Sequence, residues 1–399
     1  MSATSIAGAA QVHKAESAGP SGEQMADALA RTFELWRSRD YARRRDAIAA
    51  IAHSAGYSVA MLENSIDALL KPFTGDALKA MAGTAARPTV GGPKTIGFIA
   101  AGNVAGAGIH EIAIALIGGA RVLIKTASAE PIFFAEFART LAEIDREVGA
   151  RIEVLNWSRA RTDLTAALIA KCERVVAYGD DATIESLQSP KVIGFGCGAS
   201  GALIERGAIA PSRIDEVADL LARDIVLFEQ LGCLSLHHVF VVSAEGAAAR
   251  ELAIRMSRAL ERIGESMPPA RIPLRDAAEI RGVRERARWR AIAGEPVELF
   301  EGRGLEWTVV FDPRPDSFMV SPGFRTVHVT GVRDLAEFRA CIAGVSGQIE
   351  AMAVVGEDCE IAARAMGIPY VCAPGEMQSP PLDWRHAGGR FLDLMVGSR

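Results

Sequence analysis

The alternation of strands and helices that begins near residue 94 is the feature that most restricts how this chain can fold. Short, continuously apolar runs predict strands, and the stretches between them predict helices. The predicted strands are TIGFIA (95–100), RVLIKT (121–126), RIEVLN (151–156), RVVAYG (174–179) and KVIGFG (191–196). This pattern indicates a parallel sheet covered on both faces, so we expect a doubly wound α/β domain of the nucleotide-binding type.

A second block of the same kind begins near Pro211. It opens with a predicted helix, a turn that holds Cys233 and a predicted strand (238–243), and further strands and helices continue to Cys372. The pattern divides the chain into four parts. These are a flexible N-terminal tail (1–25), two α/β domains (26–210 and 211–375) and a C-terminal segment (376–399).

The overall charge argues against a nucleic-acid partner. The 399 residues carry 44 basic and 49 acidic side chains, a formal net charge of −5, so the chain gains nothing from attraction to a phosphate backbone. The six cysteines are scattered, without CxxC pairs or the spacing of a zinc site, and we expect no bound metal. A chain of this size needs no disulfides, so we expect reduced thiols and a cytoplasmic location.

No segment predicts a signal peptide or a membrane span. The N-terminal residues lack the basic start and apolar core of a secretory signal. The most apolar long stretch (96–124) is interrupted by Asn103, His110, Glu111 and glycines. This interruption favours a buried α/β core over a transmembrane helix.

Cys233, in FEQLGCLSLHHVFVV, is the first candidate for chemistry. It lies on a predicted turn between a helix and an apolar strand. A thiolate nucleophile needs an accessible, electropositive position of that kind, because only the ionised sulfur attacks a carbonyl. Taken alone, the segment also fits a buried structural cysteine. His237 and His238 follow it, but strand alternation directs one of them into the core, and we expect neither to act as a general base.

Two further candidates follow predicted strands of the first domain. Asn103, in GFIAAGNVAGAG, lies where a strand ends and a helix begins, so its carboxamide could donate a hydrogen bond to a developing oxyanion. An N-cap asparagine or a Gly-rich packing turn explains the same pattern. Lys125 closes a strand in VLIKTASAEP, at the carboxyl end where parallel sheets bind nucleotides, although lysines also cap strands in solvent.

The order and spacing of these residues resemble the aldehyde dehydrogenase superfamily. Asn103, Lys125, Gly179 and Cys233 follow one another at separations close to the pattern of that superfamily. More narrowly, the chain resembles acyl-CoA reductases of the LuxC type, which form aldehydes from acyl thioesters. The likeness spans about residues 94–396 and is carried by KTASAEP (125–131), VVAYGDDATIESL (175–187), DIVLFEQLGCLSLHHVFV (224–241), SPGFRTVHV (321–329) and GEMQSPPLDWRHAGG (375–389).

The resemblance implies a fold and a set of roles. We expect two doubly wound parallel-sheet domains of the aldehyde dehydrogenase type, the first binding the cofactor and the second catalytic, with an oligomerisation arm. Cys233 would attack the acyl carbonyl, and Asn103 with the backbone N–H of Cys233 would hold the oxyanion. Lys125 would contact the adenosine ribose. Gly179 and Asp180 would lie beside the cofactor diphosphate.

The chain departs from the hydrolytic aldehyde dehydrogenases where they carry their water-activating base. Those enzymes have a glutamate roughly thirty residues before the cysteine, whereas this chain has GFGCGASGALIE (194–205) in that region. Glu205 closes the run and lies too close to the cysteine in sequence to be taken as the substitute. A reductase benefits from the loss, because water must not cleave the acyl-enzyme before hydride reaches it. The sequence therefore favours thioester reduction over aldehyde oxidation.

Ser128 predicts which cofactor is used. NAD-preferring relatives often carry a glutamate three residues after the lysine, where it binds the adenosine ribose. A carboxylate there would repel a 2′-phosphate, whereas the Ser128 hydroxyl tolerates or donates to it. We therefore expect NADPH (NADP+) to be preferred, with NADH as the alternative.

The resemblance leaves the acyl donor and the partners open. Either an acyl-CoA or an acyl-carrier thioester would serve as substrate, and an acyl-activating or acyl-transferase protein would be a natural partner. Members of the superfamily usually pair through a β-arm, so we expect a homo-oligomer, with residues 376–399 over the acyl site or in the interface. Two alternative functions are reduction of an acyl phosphate and a non-catalytic scaffold for an acyl-activating protein.

A dense basic stretch surrounds Trp289. Its arginines could meet the phosphates of coenzyme A or an acidic carrier protein. A solvated helix face, with Glu279 and Glu285 nearby, is the favoured interpretation. The arginines concerned are Arg281, Arg284, Arg286, Arg288 and Arg290.

Overall fold

The computed structural model describes residues 19–85, 94–196, 198–243, 247–314, 317–386, 389 and 391. The chain divides into two compact units, each with its own sheet. The first unit consists of Met1–Ala47, Phe73–Gly196 and Phe391–Arg399, and the second of Ile48–Pro72 and Cys197–Arg390.

The strands, in chain order, are β1 (Thr95–Ile99), β2 (Arg121–Thr126), β3 (Ile152–Asn156), β4 (Arg174–Tyr178), β5 (Val192–Phe195), β6 (Ala199–Glu205), β7 (Leu236–Val242), β8 (Glu298–Glu301), β9 (Thr308–Asp312), β10 (Thr326–Val332), β11 (Ile349–Val355) and β12 (Tyr370–Cys372). The helices are α1 (Gly22–Arg37), α2 (Ala42–Ala55), α3 (Val59–Leu70), α4 (Gly75–Ala85), α5 (Ile109–Ile117), α6 (Phe133–Ile144), α7 (Arg146–Gly149), α8 (Thr162–Lys171), α9 (Asp181–Ser186), α10 (Ile214–Val226), α11 (Ala247–Ser266), α12 (Leu274–Ile292), α13 (Leu335–Ile342) and α14 (Glu357–Ala365).

The first unit contains a five-stranded parallel sheet with the order β3-β2-β1-β4-β5. Val122, Leu123 and Ile124 of β2 are each at most 1% exposed. Since consecutive side chains of a strand point to opposite faces, this run shows that both faces of the sheet are covered. The continuously apolar strands of the sequence therefore form the buried parallel sheet that they predicted.

Aromatic side chains hold α1 against α6 in the first unit. Ser21 caps α1, and its Oγ accepts a hydrogen bond from the backbone N–H of Gln24 at 3.1 Å. The Phe33 and Phe137 ring centroids lie 5.1 Å apart, and those of Trp36 and Phe133 lie 5.0 Å apart in an edge-on arrangement. Such pairs add to the stabilisation that comes from burying the rings.

The second unit contains a seven-stranded sheet with the order β12-β11-β6-β7-β10-β9-β8. Every neighbouring pair is parallel except β8 and β9. The four central strands β11, β6, β7 and β10 are parallel, so their amino ends share one edge of the sheet. Phe240, Phe338 and Met352, none of them exposed, belong to the core on one face of this sheet.

The division into units differs from the domain bounds expected from the sequence. The expected boundary at residue 210 leaves β6 in the first domain, but β6 pairs with β7 and β11 in the second sheet. The division therefore falls between Gly196 and Cys197, and Ile48–Pro72 also belongs to the second unit. The expected tail (1–25) includes the first turn of α1, which begins at Gly22 because Ser21 caps it.

The five strands predicted for the first unit are confirmed to within one residue at each end. Ahead of β1, helices α1 and α2 are separated at residues 38–41. The edge strand β8 has too few residues to show a pattern, and we did not predict it. Within the expected C-terminal segment (376–399), residues 387–388, 390 and 392–399 lie outside the described residues.

Across the described ranges, no helix combines the length and the apolar character that crossing a bilayer requires. The same residues bring together no group of three His, Cys, Asp or Glu side chains that could hold a metal ion.

Candidate active site

The carboxyl edge of the first sheet is where a doubly wound fold binds ligands. The chain runs from β1 outward to β2 and β3, then returns to place β4 on the other side of β1. The segments that follow β1 and β4 therefore diverge and leave a crevice between neighbouring strands. Asn103 lies after β1, Lys125 near the end of β2, and Gly179 after β4.

Asn103 is exposed on the segment that joins β1 to α5. Gly108, at the end of that segment, has a φ of +92° and precedes the first turn of α5. A Cβ at Gly108 would come within 2.9 Å of the Tyr178 ring, which closes β4. The segment after β1 thus packs against the end of β4, and the glycine permits both the left-handed turn and the close approach.

Lys125 is 9% exposed, and burial lowers the pKa of its ammonium group. The positive charge of Arg159 lowers that pKa further. Arg159 is exposed and follows β3, so two cations from neighbouring strands influence each other at the same edge of the sheet. Such a pair is suited to an anionic ligand, because an anion relieves the repulsion between the two cations.

Ser128 is exposed, whereas Glu130, two residues later, is 4% exposed. The Glu130 Oε1 atom accepts hydrogen bonds from the backbone N–H groups of Ile132 and Phe133, at 2.9 and 2.8 Å. Burial raises the pKa of Glu130, and these two hydrogen bonds oppose that shift. Its carboxylate is thus engaged at the start of α6, and a hydroxyl is presented at Ser128.

Gly179 and Asp180 form the turn between β4 and α9. The Asp180 Oδ1 atom accepts a hydrogen bond from the backbone N–H of Thr183 at 2.8 Å, so Asp180 is the N-cap of α9. A Cβ at Gly179 would lie 3.0 Å from the Thr183 side chain, which keeps this turn tight. The backbone of Gly179 is better suited to an anion than the Asp180 carboxylate, since two anions repel each other.

Cys233 lies in the second unit, on the turn before β7, and is half-buried. Three consecutive residues ahead of it, Phe228, Glu229 and Gln230, have φ values of +53°, +52° and +63°. For residues with side chains this left-handed region costs about 1–3 kcal/mol each, and it persists only where the surroundings enforce it. The turn that carries the cysteine is therefore a strained segment that its neighbours hold in place.

Buried polar contacts supply that restraint. The Glu229 carboxylate forms a two-point ion pair with Arg325, at 3.0 and 2.7 Å, and both side chains are almost fully buried. Burial raises the pKa of Glu229, and the charge of Arg325 opposes that shift. The Gln230 amide accepts from the backbone N–H of Thr326 at 2.8 Å and donates to the carbonyl of Leu236 at 2.5 Å. These contacts join the strained turn to the amino ends of β7 and β10.

Ser200 holds the backbone of Cys233 from the neighbouring strand. Its Oγ donates a hydrogen bond to the Cys233 carbonyl at 2.7 Å and accepts one from the backbone N–H of Ala351 at 3.0 Å. Ser200 is fully buried. One hydroxyl on β6 therefore links the turn before β7 to the start of β11.

His237 and His238 are both buried, which shows that both faces of the sheet are covered at β7. The His237 Nδ1 atom lies 2.8 Å from Ser321 Oγ, and His238 Nε2 lies 2.8 Å from Thr330 Oγ1. Burial lowers the pKa of His237 to about 4 and that of His238 well below its usual range. Both rings serve as neutral, hydrogen-bonded core residues.

The Arg-rich stretch belongs to α12 and is largely engaged with the protein itself. Arg284 is 5% exposed and donates to Thr308 Oγ1 at 2.9 Å and to the carbonyl of Trp307 at 2.8 Å. Arg288 pairs with Glu301 at 2.6 Å, and Arg290 pairs with acids as well. These contacts favour a structural helix face over a coenzyme A site.

The C-terminal motif GEMQSPP is anchored to α10. Asp224, which is fully buried, accepts hydrogen bonds from the backbone N–H groups of Gly375 and Met377, at 2.6 and 3.2 Å. Burial raises the pKa of Asp224 to about 7, and the two hydrogen bonds oppose that shift. Lys71 pairs with Glu376 at 2.6 Å and adds an exposed contact to the same segment.

The structure groups the candidate residues by edge. The first unit places five at the carboxyl edge of its sheet, namely Asn103, Lys125, Ser128, Gly179 and Asp180. Cys233 lies at the amino edge of the second sheet. Sequence reasoning missed Arg159, Ser200 and the Glu229–Arg325 pair. The last is signalled only weakly, by charges inside the apolar phrases DIVLFEQLG and SPGFRTV.

The fold is that of an aldehyde dehydrogenase. A putative aldehyde dehydrogenase from Burkholderia cenocepacia superimposes with a TM-score of 0.70 at 14% identity, covering 94% of this chain and 86% of that one. Aldehyde dehydrogenase 21 from Physcomitrella patens, solved with the product succinate, gives 0.69 at 14% identity over 95% and 85%. The expected fold class is thereby confirmed.

Within that fold, the chain belongs to the acyl-CoA reductase (LuxC) family, whose sequence profile matches residues 89–397. It is 24% identical over 338 residues to the long-chain acyl-protein thioester reductase of Aliivibrio fischeri, covering 79% of this chain and 68% of that protein. It is 23% identical over 271 residues to the Vibrio harveyi protein of the same description, covering 62% and 55%. The resemblance read from the motifs is confirmed.

Proposed function

We propose that this protein reduces an acyl thioester to an aldehyde through an acyl-enzyme on Cys233, with NADPH as the reductant. The observation that carries the proposal is the turn before β7. A half-buried thiol follows a strained segment that a buried ion pair fixes, and Ser200 holds the backbone carbonyl of the cysteine itself. Strain of this kind persists only where the surroundings enforce it, and it clusters at active sites.

The chemistry assigned to the chain begins at sulfur. Cys233 attacks the acyl carbonyl, the donor thiol leaves, and the acyl group stays on the enzyme as a thioester. Asn103 is the proposed side-chain donor to the oxyanion, together with the backbone N–H of Cys233. When bound, the nicotinamide supplies the hydride that reduces the acyl group. The hemithioacetal on Cys233 then collapses to the aldehyde and the free thiolate.

The residues at the carboxyl edge of the first sheet fit a phosphorylated dinucleotide. Lys125 and Arg159 bring positive charge to that edge, and Ser128 offers a hydroxyl there. The nearby acid, Glu130, is engaged by the amides at the start of α6. This set supports a 2′-phosphate beside Lys125, Ser128 and Arg159, and therefore NADPH over NADH. The Gly179 backbone, next to Asp180, is the proposed contact for the diphosphate.

The run that precedes Cys233 supports reduction rather than hydrolysis. Gly198 lies so close to the cysteine that a Cβ on it would be 3.1 Å from Cys233 Cβ. This glycine belongs to the run where hydrolytic relatives carry their base, so no side chain from position 198 can activate water. An acyl-enzyme protected from water can await hydride.

The proposal also covers the acyl donor, the partner proteins and the cellular location of this protein. The named relatives act on long-chain acyl-protein thioesters, which supports a protein-bound acyl group, although an acyl-CoA contains the same reactive bond. An acyl-activating or acyl-transferase protein is the proposed partner, and a homo-oligomer the proposed assembly. The described cysteines, Cys172, Cys233, Cys341, Cys359 and Cys372, are all free thiols, which supports a reducing, cytoplasmic setting.

The proposal is tested by following NADPH consumption with acyl-CoA esters of increasing chain length, with the aldehyde trapped and identified. We expect aldehyde formation that the Cys233→Ala variant abolishes. Cys372→Ala, which removes a different free thiol of the second unit, is the control and should retain turnover. Turnover by Cys233→Ala would contradict the acyl-enzyme. Reduction of acyl phosphates alone would replace the thioester as substrate.

A further inference from the structure

Gly198, at the amino edge of the second sheet, lies against both Cys233 and Glu350. A Cβ placed on Gly198 would lie 3.1 Å from Cys233 Cβ and 2.6 Å from Glu350 Cγ. The two side-chain carbons are therefore no farther apart than the sum of these distances. Glu350 Cδ, which carries the carboxylate oxygens, lies 3.6 Å from the same point. Only a glycine at position 198 leaves room for the glutamate beside the cysteine.

A β-bulge directs Glu350 to this place. The register between β6 and β11 pairs Ile349 with Ala199 and Ala351 with Ser200, so Glu350 is the extra residue of the bulge. Ile349 and Ala351 are buried, whereas Glu350 is only half-buried. Bulges turn one side chain out of the regular alternation and are frequent next to active sites.

The hydrogen bonds of Ser200 fix the spacing between the two side chains. Ser200 Oγ bonds to the carbonyl of Cys233 and to the N–H of Ala351, the residue after Glu350. The backbones that carry the thiol and the carboxylate are thus held by one buried hydroxyl. This arrangement sets their separation with less freedom than two independent loops would have.

A base beside the thiol has a clear chemical use. An ordinary thiol has a pKa of about 8.5, so little of it is ionised at pH 7, and a positioned base contributes about 10²–10⁴-fold to a proton-transfer step. His237 and His238 are engaged with Ser321 and Thr330 inside the core. Within the part of the chain that the structure describes, Glu350 brings a carboxylate beside Cys233.

We propose that Glu350 is the proton-transfer partner of Cys233, an inference that rests on the acyl-enzyme chemistry proposed above. The carboxylate takes the proton from Sγ as the sulfur bonds to the acyl carbon. It returns the same proton to the donor thiolate when the old carbon–sulfur bond breaks. One thioester and one thiol are exchanged for another thioester and another thiol, so this step needs neither oxidant nor reductant.

The test measures acylation without NADPH. Tetradecanoyl-CoA is mixed with the protein, and the acyl-enzyme is counted by mass spectrometry at short times. We expect Glu350→Gln to acylate about 10²-fold more slowly at pH 7, and Glu350→Asp to recover part of the loss. Glu360→Gln, which removes an acid paired with Arg364 on the surface of α14, is the matched control and should acylate normally.

A second readout separates proton transfer from a structural role. The difference in acylation rate between Glu350→Gln and the unmodified protein should shrink as the pH approaches about 10. Hydroxide in solution then removes protons from thiols without help from a protein base. An equal deficit at both pH values would overturn the inference, since a displaced thiol reacts slowly at any pH. Loss of acyl-enzyme hydrolysis alone would also overturn it, because Glu350 would then activate water.

The inference and the proposed function fail in different ways. If Glu350→Gln acylates like the unmodified protein while Cys233→Ala does not acylate, the proposed role of Glu350 is contradicted and the acyl-enzyme is not. If Cys233→Ala still forms aldehyde with NADPH, the acyl-enzyme on Cys233 is contradicted.

Discussion

Glu229 and Arg325 form a buried two-point ion pair, with Oε2 to Nε at 3.0 Å and Oε1 to Nη2 at 2.7 Å, and both backbones are left-handed. The backbone N–H of Phe324 also donates to the carbonyl of Glu229 at 2.9 Å. Gly323 permits this approach, since a Cβ there would lie 2.9 Å from Leu231. Two strained segments, one before Cys233 and one before β10, therefore stabilise each other.

Replacing Glu229 with Gln should destabilise the second unit. The change leaves the Arg325 charge buried without its carboxylate, which typically costs about 3–5 kcal/mol. Urea unfolding followed by fluorescence measures the loss. The exposed pair of Glu360 and Arg364 provides the control, because Glu360→Gln should change stability by no more than about 0.5 kcal/mol. Equal, small effects of both variants would show that the buried pair does not hold the turn.

Replacing Ser200 with Ala should slow acylation of Cys233 and destabilise the fold by about 1–3 kcal/mol, because the Cys233 carbonyl and the Ala351 N–H lose their shared partner. Acyl-enzyme formation and urea unfolding are the measurements. Ser257→Ala is the matched control, since Ser257 bonds only to a carbonyl of its own helix. An unchanged acylation rate in Ser200→Ala would show that the turn keeps its position without this hydroxyl.

Replacing Asn103 with Ala should lower kcat by about 10²–10³ and leave KM nearly unchanged, because an oxyanion donor acts in the transition state. Asn103 is exposed, so the free energy of unfolding should change little. Steady-state kinetics with a saturating acyl-CoA measure the effect. A raised KM with normal kcat would instead indicate that Asn103 contributes to ground-state binding.

Two substitutions test the cofactor preference. Ser128→Glu should shift the ratio of kcat/KM values from NADPH toward NADH, because a carboxylate repels a 2′-phosphate. Arg159→Ala should weaken NADPH binding more than NADH binding. Arg161→Ala is the control, since Arg161 is exposed and pairs with Asp163 at 2.7 Å. Better use of NADH by the unmodified protein would contradict the preference.

Acid should destabilise the second unit through its buried histidines. Burial lowers the pKa of His237 and His328 to about 4, so both stay neutral in the folded state while the unfolded chain takes up protons. Their stability contribution is present above about pH 6.5 and is lost as the pH falls through about 4. Each histidine should contribute a slope of about 1 kcal/mol per pH unit between these values. His328→Leu should show a shallower acid loss in urea unfolding.

The titration of Asp224 should affect the free energy of unfolding in the opposite direction to that of the buried histidines. Burial raises its pKa from 3.8 to about 7, so the folded state binds this proton more tightly than the unfolded chain. The stabilising contribution is therefore present below about pH 4 and is lost as the pH rises through about 7. Asp224→Asn removes the titration, and the acid loss of the variant should be steeper than that of the unmodified protein. A parallel pH profile would show that Asp224 does not titrate in this range.

Short-range chemistry made much of the fold readable from the sequence. The apolar runs around Ile96, Ile124 and Val176 are buried strands because a parallel sheet covered on both faces accepts only such residues. Cys233 could be placed on a turn because a predicted helix ends before it and an apolar run that predicts a strand begins after it. The family could be recognised because several motifs occur in one order along the chain.

Tertiary structure alone decided what surrounds the thiol. Glu229 pairs with Arg325, and Glu350 and Cys233 both lie against Gly198. The residues in each contact are far apart in the sequence. Side-chain alternation cannot foresee a β-bulge, and local propensity disfavours the left-handed turns that precede Cys233. The sequence by itself determined which elements form. The pairing of β6 with β7 and β11 determined which side chains meet at their amino ends, because register depends on the whole sheet.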